Sequence, residues 1–364
     1  MTDRYAPLRG IAAALGVDAV ALVPGPNFTR VMGRAFHSHE RPFVVVVPAE
    51  GAPAAIVPNL ELGSWAQVGF EGEVFDWRDQ DGYRPAFEAL ARRMHLSSLG
   101  VEGQVMRVFV HHALVSSQPG LRVVDAEREI SGLRLRKTPE EIAGLEAAIR
   151  ISETALSELL AGVAVGQTEA EIERRLTGLL FHHGAEDMAF GPIVAAGDNS
   201  AQPHAKARED YRIKPGDPLL LDFGARARGM AADITRTVFV GEPSAEASEV
   251  YETVRRANQI GHEITRPGVT AHEIDDAVTG HLEASPYADR IRTKTGHGLG
   301  RDVHEGPYVM RGNHQALGAG MVFTDEPGLY KLGAFGVRIE DDILVTDDGC
   351  RSLTTFTSDL TVIG

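Results

Sequence analysis

The sequence predicts an α+β protein: a smaller α/β domain over residues 1–133, then a larger pseudo-two-fold domain over residues 134–364. Three observations carry this expectation. The first part alternates short apolar strands with amphipathic helices. A strong helix start follows near Leu133 to Lys137. The second part then repeats itself. Gly166 to Leu180 and Gly268 to Leu282 both fit G-x-T-x-x-E-I-x-x-x-[LV]-T-G-x-L, the second copy beginning 102 residues after the first. The shared Thr-Gly inside the helix pattern goes beyond a common helix start. Two copies are too few for a solenoid, so they predict two similar halves of one domain.

In chain order, Phe43 to Val47 is a β-branched run suited to a buried strand. Ala54 to Val57, after the Gly51-Ala52-Pro53 turn, completes a hairpin with it. Tyr83 to Met94 has the period of an amphipathic helix, and Leu121 to Val124 reads as a strand. Thr138-Pro139-Glu140-Glu141 starts a long helix to about Leu160: Thr138 caps it, proline suits the first position, and Glu141 completes a capping box. Each repeat copy has its own box, Thr168/Glu171 and Thr270/Glu273, and each follows a long helical segment, the second roughly Glu246 to Thr265. After each copy comes an antiparallel hairpin, Leu219 to Val240 in the first half and Met321 to Val345 in the second.

Composition narrows the function. The 364 residues are 43% hydrophobic and 24% charged, which suits a globular chain, and the net charge is −15. That acidity argues against nucleic acid, whose phosphates need a basic surface, and against an anionic membrane. The most apolar run, Phe43 to Pro48, is far shorter than the roughly 20 residues that span a bilayer. The chain start, Met1 to Tyr5, lacks a basic-then-apolar signal, and the single Cys350 forms no intrachain disulfide, so a reducing cytoplasm is expected.

The chemistry lies in the hairpins. Asp222 interrupts the apolar run Leu219 to Ala225; a buried, unpaired carboxylate is costly and needs a cation. Asp233, on the returning strand, is placed to meet it across the pair. In the second hairpin, Glu326 lies in Met321 to Gly328, Glu340 sits in a similar apolar alternation, and the period of two puts Arg338 on the face of Glu340. Between the hairpins, glycines flank His297, letting the backbone approach another group closely. Asp222, Asp233, His297, Glu326 and Glu340 form an oxygen-rich set suited to two divalent cations, which together stabilise both ends of a displacement. Asp222-Phe223-Gly224 is no kinase triplet, since no His-Arg-Asp loop accompanies it. Gly296-x-Gly298-x-Gly300 lacks dinucleotide spacing, and His272-Glu273 lacks the second histidine of the one-zinc helix motif.

From Thr138 to Val362 the sequence resembles the pita-bread metallopeptidases: methionine aminopeptidase, aminopeptidase P, prolidase and the metal-free creatinase. The two aspartates stand eleven apart, Asp233 to Thr237 reads Asp-Ile-Thr-Arg-Thr, and His304 follows His297 by seven. Thr324 to Gly328 matches Thr-x-Glu-Pro-Gly, Arg338 to Asp341 matches Arg-Ile-Glu-Asp, and Pro203-His204 matches a segment before the first hairpin. Glu340-Asp341-Asp342, together with an N-terminal domain, resembles the Xaa-Pro peptidases rather than methionine aminopeptidase.

The resemblance implies a pita-bread catalytic domain behind a creatinase-like N-terminal domain. It implies hydrolysis of an Xaa-Pro bond in proline-containing peptides, by a dipeptidase (prolidase) or alternatively an aminopeptidase P on longer peptides. It also implies a homodimer and two divalent ions, manganese first, with cobalt or zinc able to bind. On this reading Asp222 and Asp233 hold one ion, His297 and Glu326 the other, and Asp233 and Glu340 bridge. Glu326 is general base then acid, His304 donates to the oxyanion, and His204 contacts substrate or shuttles a proton. Arg338 orients Glu340 or meets a substrate carboxylate. A non-catalytic binding module and a hydrolase of non-peptide C–N or organophosphorus bonds are the other classes; Xaa-Pro assays with manganese separate both.

Overall fold

The computed structural model describes residues 3–364, which divide into two compact units, residues 3–134 and 135–364. The first unit holds one six-stranded sheet: β1 (Ala19–Leu22), β2 (Val44–Pro48), β3 (Ala54–Pro58), β4 (Glu73–Trp77), β5 (Ser98–Val101) and β6 (Arg122–Asp125). Their order is β4-β3-β2-β1-β5-β6. The expected hairpin is β2–β3, antiparallel with Val44 opposite Ile56. The expected helix runs over Arg84–Met94. Both faces of the sheet are covered, which is why β2 is apolar throughout. Val45 and Val47 enter one core with Phe28, Phe43 and Trp65; Val44 and Val46 enter the other with Phe87, Leu90 and Leu99.

The second unit is built from two similar halves. The first half has helices Pro139–Leu160 and Glu169–His182; the second has Ala245–Ile264 and Ala271–Glu283. The three predicted capping boxes are all present: Thr138, Thr168 and Thr270 each accept from the backbone N–H of their glutamate, which reaches back to the capping residue. In the first half, β7 (Asp187–Met188) and β8 (Ile193–Ala196) precede β9 (Asp217–Phe223), β10 (Ala225–Ala227), β11 (Met230–Ala231) and β12 (Ile234–Val240). In the second, β13 (Gly296–Gly298) and β14 (Glu305–Val309) precede β15 (Val322–Asp325), β16 (Gly328–Lys331), β17 (Phe335–Arg338) and β18 (Asp341–Val345). Short strands β19 (Cys350–Ser352) and β20 (Val362–Ile363) close two sheet edges.

Each predicted hairpin is bent into two ladders. In the first half, β9 pairs with β12 and β10 with β11, in different sheets. In the second half, β15 pairs with β18 and β16 with β17. The bends are a feature that an antiparallel hairpin alone does not imply. They matter because the acidic residues cluster there. Glu326 follows β15, Glu340 precedes β18, Asp233 precedes β12, and Asp222 is the last residue but one of β9.

A central core of Leu145, Ile149, Met230, Ile234, Leu299, Val322 and Leu344 draws on both halves. The halves also meet at an antiparallel bridge between Thr235 and Glu340, where the Glu340 N–H donates to the Thr235 carbonyl at 3.1 Å.

Candidate active site

The string Asp233 to Thr237 is the seam between the halves. The Thr235 hydroxyl donates to Glu340 Oε2 at 2.6 Å and accepts from Arg338 Nε at 3.0 Å. Arg236 Nη1 donates to the Glu340 carbonyl at 2.7 Å, and its Nη2 to Asp341 Oδ1 at 2.7 Å. The Thr237 hydroxyl donates to the Arg338 carbonyl at 2.9 Å. One strand thus fixes the backbone on both sides of Glu340.

His297 is fixed from the other side. Its N–H donates to Thr324 Oγ1 at 3.1 Å, and the Glu326 N–H donates to the Thr295 carbonyl at 2.7 Å. The flanking glycines are required. A Cβ on Gly296 would lie 1.8 Å from the Thr324 carbonyl oxygen, and one on Gly298 would lie 1.9 Å from that of Gly306. The close approach expected around His297 is therefore present.

These elements bring all five expected residues together. Donor atoms of Asp222, Asp233 and Glu340 lie within 4.8 Å of one another, as do those of His297, Glu326 and Glu340 and those of Asp233, His297 and His304. His297 Nε2 is 3.2 Å from Glu326 Oε1 and 3.7 Å from Asp233 Oδ2. The residues line one cleft of about 720 Å³, with Phe190, Ile193 and Val303 as apolar wall and His204 and His304 as exposed imidazoles.

The donor set fits divalent cations. It is mostly carboxylate oxygen with one imidazole, a hard combination. Asp222 Oδ1 is buried and has no hydrogen-bond partner among the described residues, a costly state that a cation relieves. Burial, followed by neighbouring carboxylates, pushes the Asp233 and Glu340 carboxyls far up; burial also raises Asp222, against the opposing pull of Arg338. The protein alone thus holds more negative charge here than it can carry.

Glu326 behaves differently. Burial pushes its carboxyl up, but the bond to His297 and the charges of His297, Arg338 and Lys294 outweigh it and hold it below the usual range. Burial, then the charge of His297, pulls His304 down to about 4, so its imidazole is neutral at pH 7.

One expectation is corrected. The residue opposite Asp222 in the β9–β12 ladder is Thr235, not Asp233, because the ladder ends at Ile234. Asp233 reaches the same centre from the bend. Arg338 shares the face of Glu340, as expected, since both line the cleft and both bond to the Thr235 hydroxyl, but its ion pair is with Asp222. Its guanidinium is buried, with Nη2 on Asp222 Oδ2 and Nη1 on Tyr330 Oη at 2.9 Å. A substrate carboxylate at Arg338 would have to compete with Asp222.

Tyr330, the role of Thr235, and the cleft residues Phe190, Ile193, Arg292 and Lys294 were not anticipated. Thr235 lay inside a quoted motif; the others had no local signal.

A pseudo-two-fold domain with paired carboxylates and an imidazole at its centre defines a metal-dependent hydrolase with a dinuclear site. Residues 143–347 match metallopeptidase family M24, and residues 4–136 match the creatinase/prolidase N-terminal domain. The chain belongs to metallopeptidase family M24, and its catalytic unit has the α+β pita-bread fold. It is 31% identical to a probable dipeptidase, PepE, of Mycobacterium tuberculosis, covering 99% of this chain and 96% of that protein. It is 32% identical to an Xaa-Pro dipeptidase of Pyrococcus horikoshii, covering 93% of each. Among solved structures, a recombinant prolidase from Thermococcus sibiricus superposes with a TM-score of 0.92 at 33% identity, covering 100% of both chains. No helix among the described residues is long and apolar enough to cross a membrane.

Proposed function

We propose that the protein is a prolidase, hydrolysing Xaa-Pro dipeptides with two divalent ions, manganese by preference, held by Asp222, Asp233, His297, Glu326 and Glu340. The observation that carries this is the convergence of those donors in one cleft, in a chain that matches Xaa-Pro dipeptidases along nearly its whole length. Carboxylate-rich donors favour manganese over softer metals.

Bound there, the ions supply positive charge that polarises a peptide carbonyl and acidifies water. Asp222 and Asp233 come from the first half, His297, Glu326 and Glu340 from the second. Glu326, ionised and facing His297, takes the proton from the attacking water at a carboxylate oxygen and delivers it to the proline nitrogen as the C–N bond breaks. His304, neutral at pH 7, donates an N–H to the carbonyl oxygen as it gains charge. His204, across the cleft, contacts the substrate. Phe190, Ile193 and Val303 exclude water from the side-chain end. Arg338 holds Asp222 in place rather than touching substrate.

The enzyme works, on this reading, in the cytoplasm, where the lone Cys350 stays reduced, and as a homodimer, which sedimentation of the purified protein checks. Residues 1–133 serve as its N-terminal domain and 134–364 as the catalytic one. Assay of Ala-Pro and Ala-Pro-Gly, with manganese and after chelation, tests the function. Turnover of Ala-Pro that needs the ion is expected. Activity undiminished by full chelation, or confined to the tripeptide, overturns it.

A further inference from the structure

The cleft that holds the metal-ligand candidates is lined by five carboxylates, Asp222, Asp233, Asp302, Glu326 and Glu340. A dipeptide brings a sixth. In Xaa-Pro the carboxylate carbon is two bonds from the proline nitrogen, so its position is tied to the point where Glu326 delivers the proton. A carboxylate there, beside an ionised glutamate, needs its own cation.

Three cationic side chains line the cleft: Arg292, Lys294 and Arg338. Arg338 is buried and committed to Asp222, Tyr330 and Thr235. Arg292 is turned back on its own segment, with Nη1 donating to the carbonyls of Asp289 at 2.6 Å and Ile291 at 2.9 Å. Lys294 differs from both. It is exposed, makes no ion pair among the described residues, and its ammonium lies 5.8 Å from the centroid of the Tyr308 ring. It lines the same cleft as Glu326 and His304. It stands three residues before His297, at the start of the segment whose glycines lock that histidine against Thr324 and Gly306.

We infer that Lys294 is the specificity-determining residue that receives the C-terminal carboxylate of the dipeptide, and that it makes the enzyme prefer Xaa-Pro over peptides continuing past proline. The inference rests on the prolidase reading above. A longer peptide presents a neutral amide at the same point, and a lysine gains little from it. The contact is a point charge on a flexible stem, so it fixes the sign of the group it meets more than its orientation. Tyr308 supplies the ring against which the ammonium sits when no substrate is present.

The test compares Ala-Pro with Ala-Pro amide, which differ only in that charge, using manganese-loaded wild type, Lys294→Met and Lys294→Arg. Inhibition by proline and by prolinamide gives a second readout that needs no turnover of the variant's preferred substrate. Wild type is expected to favour Ala-Pro, mainly through KM. Lys294→Met should lower kcat/KM for Ala-Pro about tenfold more than for the amide, the scale of a lost charged hydrogen bond. It should also erase the advantage of proline over prolinamide, and Lys294→Arg should restore most of both. If wild type cleaves Ala-Pro but Lys294→Met affects both substrates alike, or neither, this assignment is overturned and the prolidase reading stands. If metal-loaded wild type cleaves neither substrate, both fall together.

Discussion

Glu326 is the one carboxyl of the cluster held low, and the cause is local: His297, at 3.2 Å, is its nearest partner. A proton carrier must begin ionised, and burial beside the carboxylates of Asp222, Asp233 and Glu340 would otherwise prevent this. Glu326→Gln keeps an oxygen toward His297 but cannot carry a proton. Its kcat on Ala-Pro should fall at least about 100-fold with an unchanged unfolding temperature; near-normal turnover in a fully metallated variant would remove the role. A second residue-scale prediction concerns Glu102 in the first unit, which no catalytic step uses. It is buried, its Oε1 accepts from Asn27 Nδ2 at 2.7 Å, and its Oε2 has no partner among the described residues. Burial pushes this carboxyl up to about 7. A raised carboxyl favours folding only while protonated, so its contribution is complete below about pH 4.5 and is lost as pH rises through 7. Glu102→Gln, which keeps the acceptor, should match wild type near pH 4 and exceed it by roughly 3 kcal/mol above pH 8. Denaturant titrations at the two pH values check this, and parallel curves would count against it.

At the scale of elements, the bends decide where the chemistry sits. A continuous ladder would have pointed alternate residues to opposite faces along its whole length. The bends at residues 326–327 and 339–340 split the pairing between two sheets but keep that alternation: Val337, Ile339 and Ile343 enter one core, while Arg338 and Glu340 line the cleft with Glu326. Arg338 therefore faces the cleft with Glu340, and only its ion-pair partner, Asp222, lies in the other half. Much else was legible, because it depends on local spacing. The capping boxes, the β2–β3 hairpin and the glycines around His297 all follow from neighbours in the chain. What was hidden depends on partners over 100 residues apart, as with Arg338 and Asp222 or Thr235 and Glu340. The same holds for Lys137, just before the first long helix, which donates to Glu305 Oε1 at 2.8 Å with both side chains almost fully buried. Glu305 adjoins His304. Lys137→Met should destabilise the catalytic unit by about 3–5 kcal/mol, since it strands a buried charge. Adding Glu305→Gln should recover part of that loss, and a chemical-denaturation cycle on the four proteins measures it. Equal stability of wild type and Lys137→Met would mean the pair contributes nothing net.

For the whole molecule, the consequence of the repeat is that the catalytic centre belongs to neither half alone. Asp222 and Asp233 come from one, His297, Glu326 and Glu340 from the other, and the Thr235–Glu340 bridge sets their register. Ions that bind only this folded arrangement should stabilise it by about 2.7 kcal/mol for each ion at 100 times its Kd. Calorimetry should therefore show the unfolding temperature rising with added manganese and falling after chelation. An unfolding temperature indifferent to both would place the donors outside any tight site. The residue-scale charge crowding and the element-scale bends are two aspects of this same division. It also gives the seam a diagnostic property. Helices and sheets on either side can each remain intact while the halves slip by a fraction of an ångström, and far-ultraviolet dichroism would record nothing. Metal occupancy would record it at once, so the centre acts as a vernier for the alignment of two similar halves. Substitutions along Asp233 to Thr237 should announce themselves first as lost ions, and only later as lost structure.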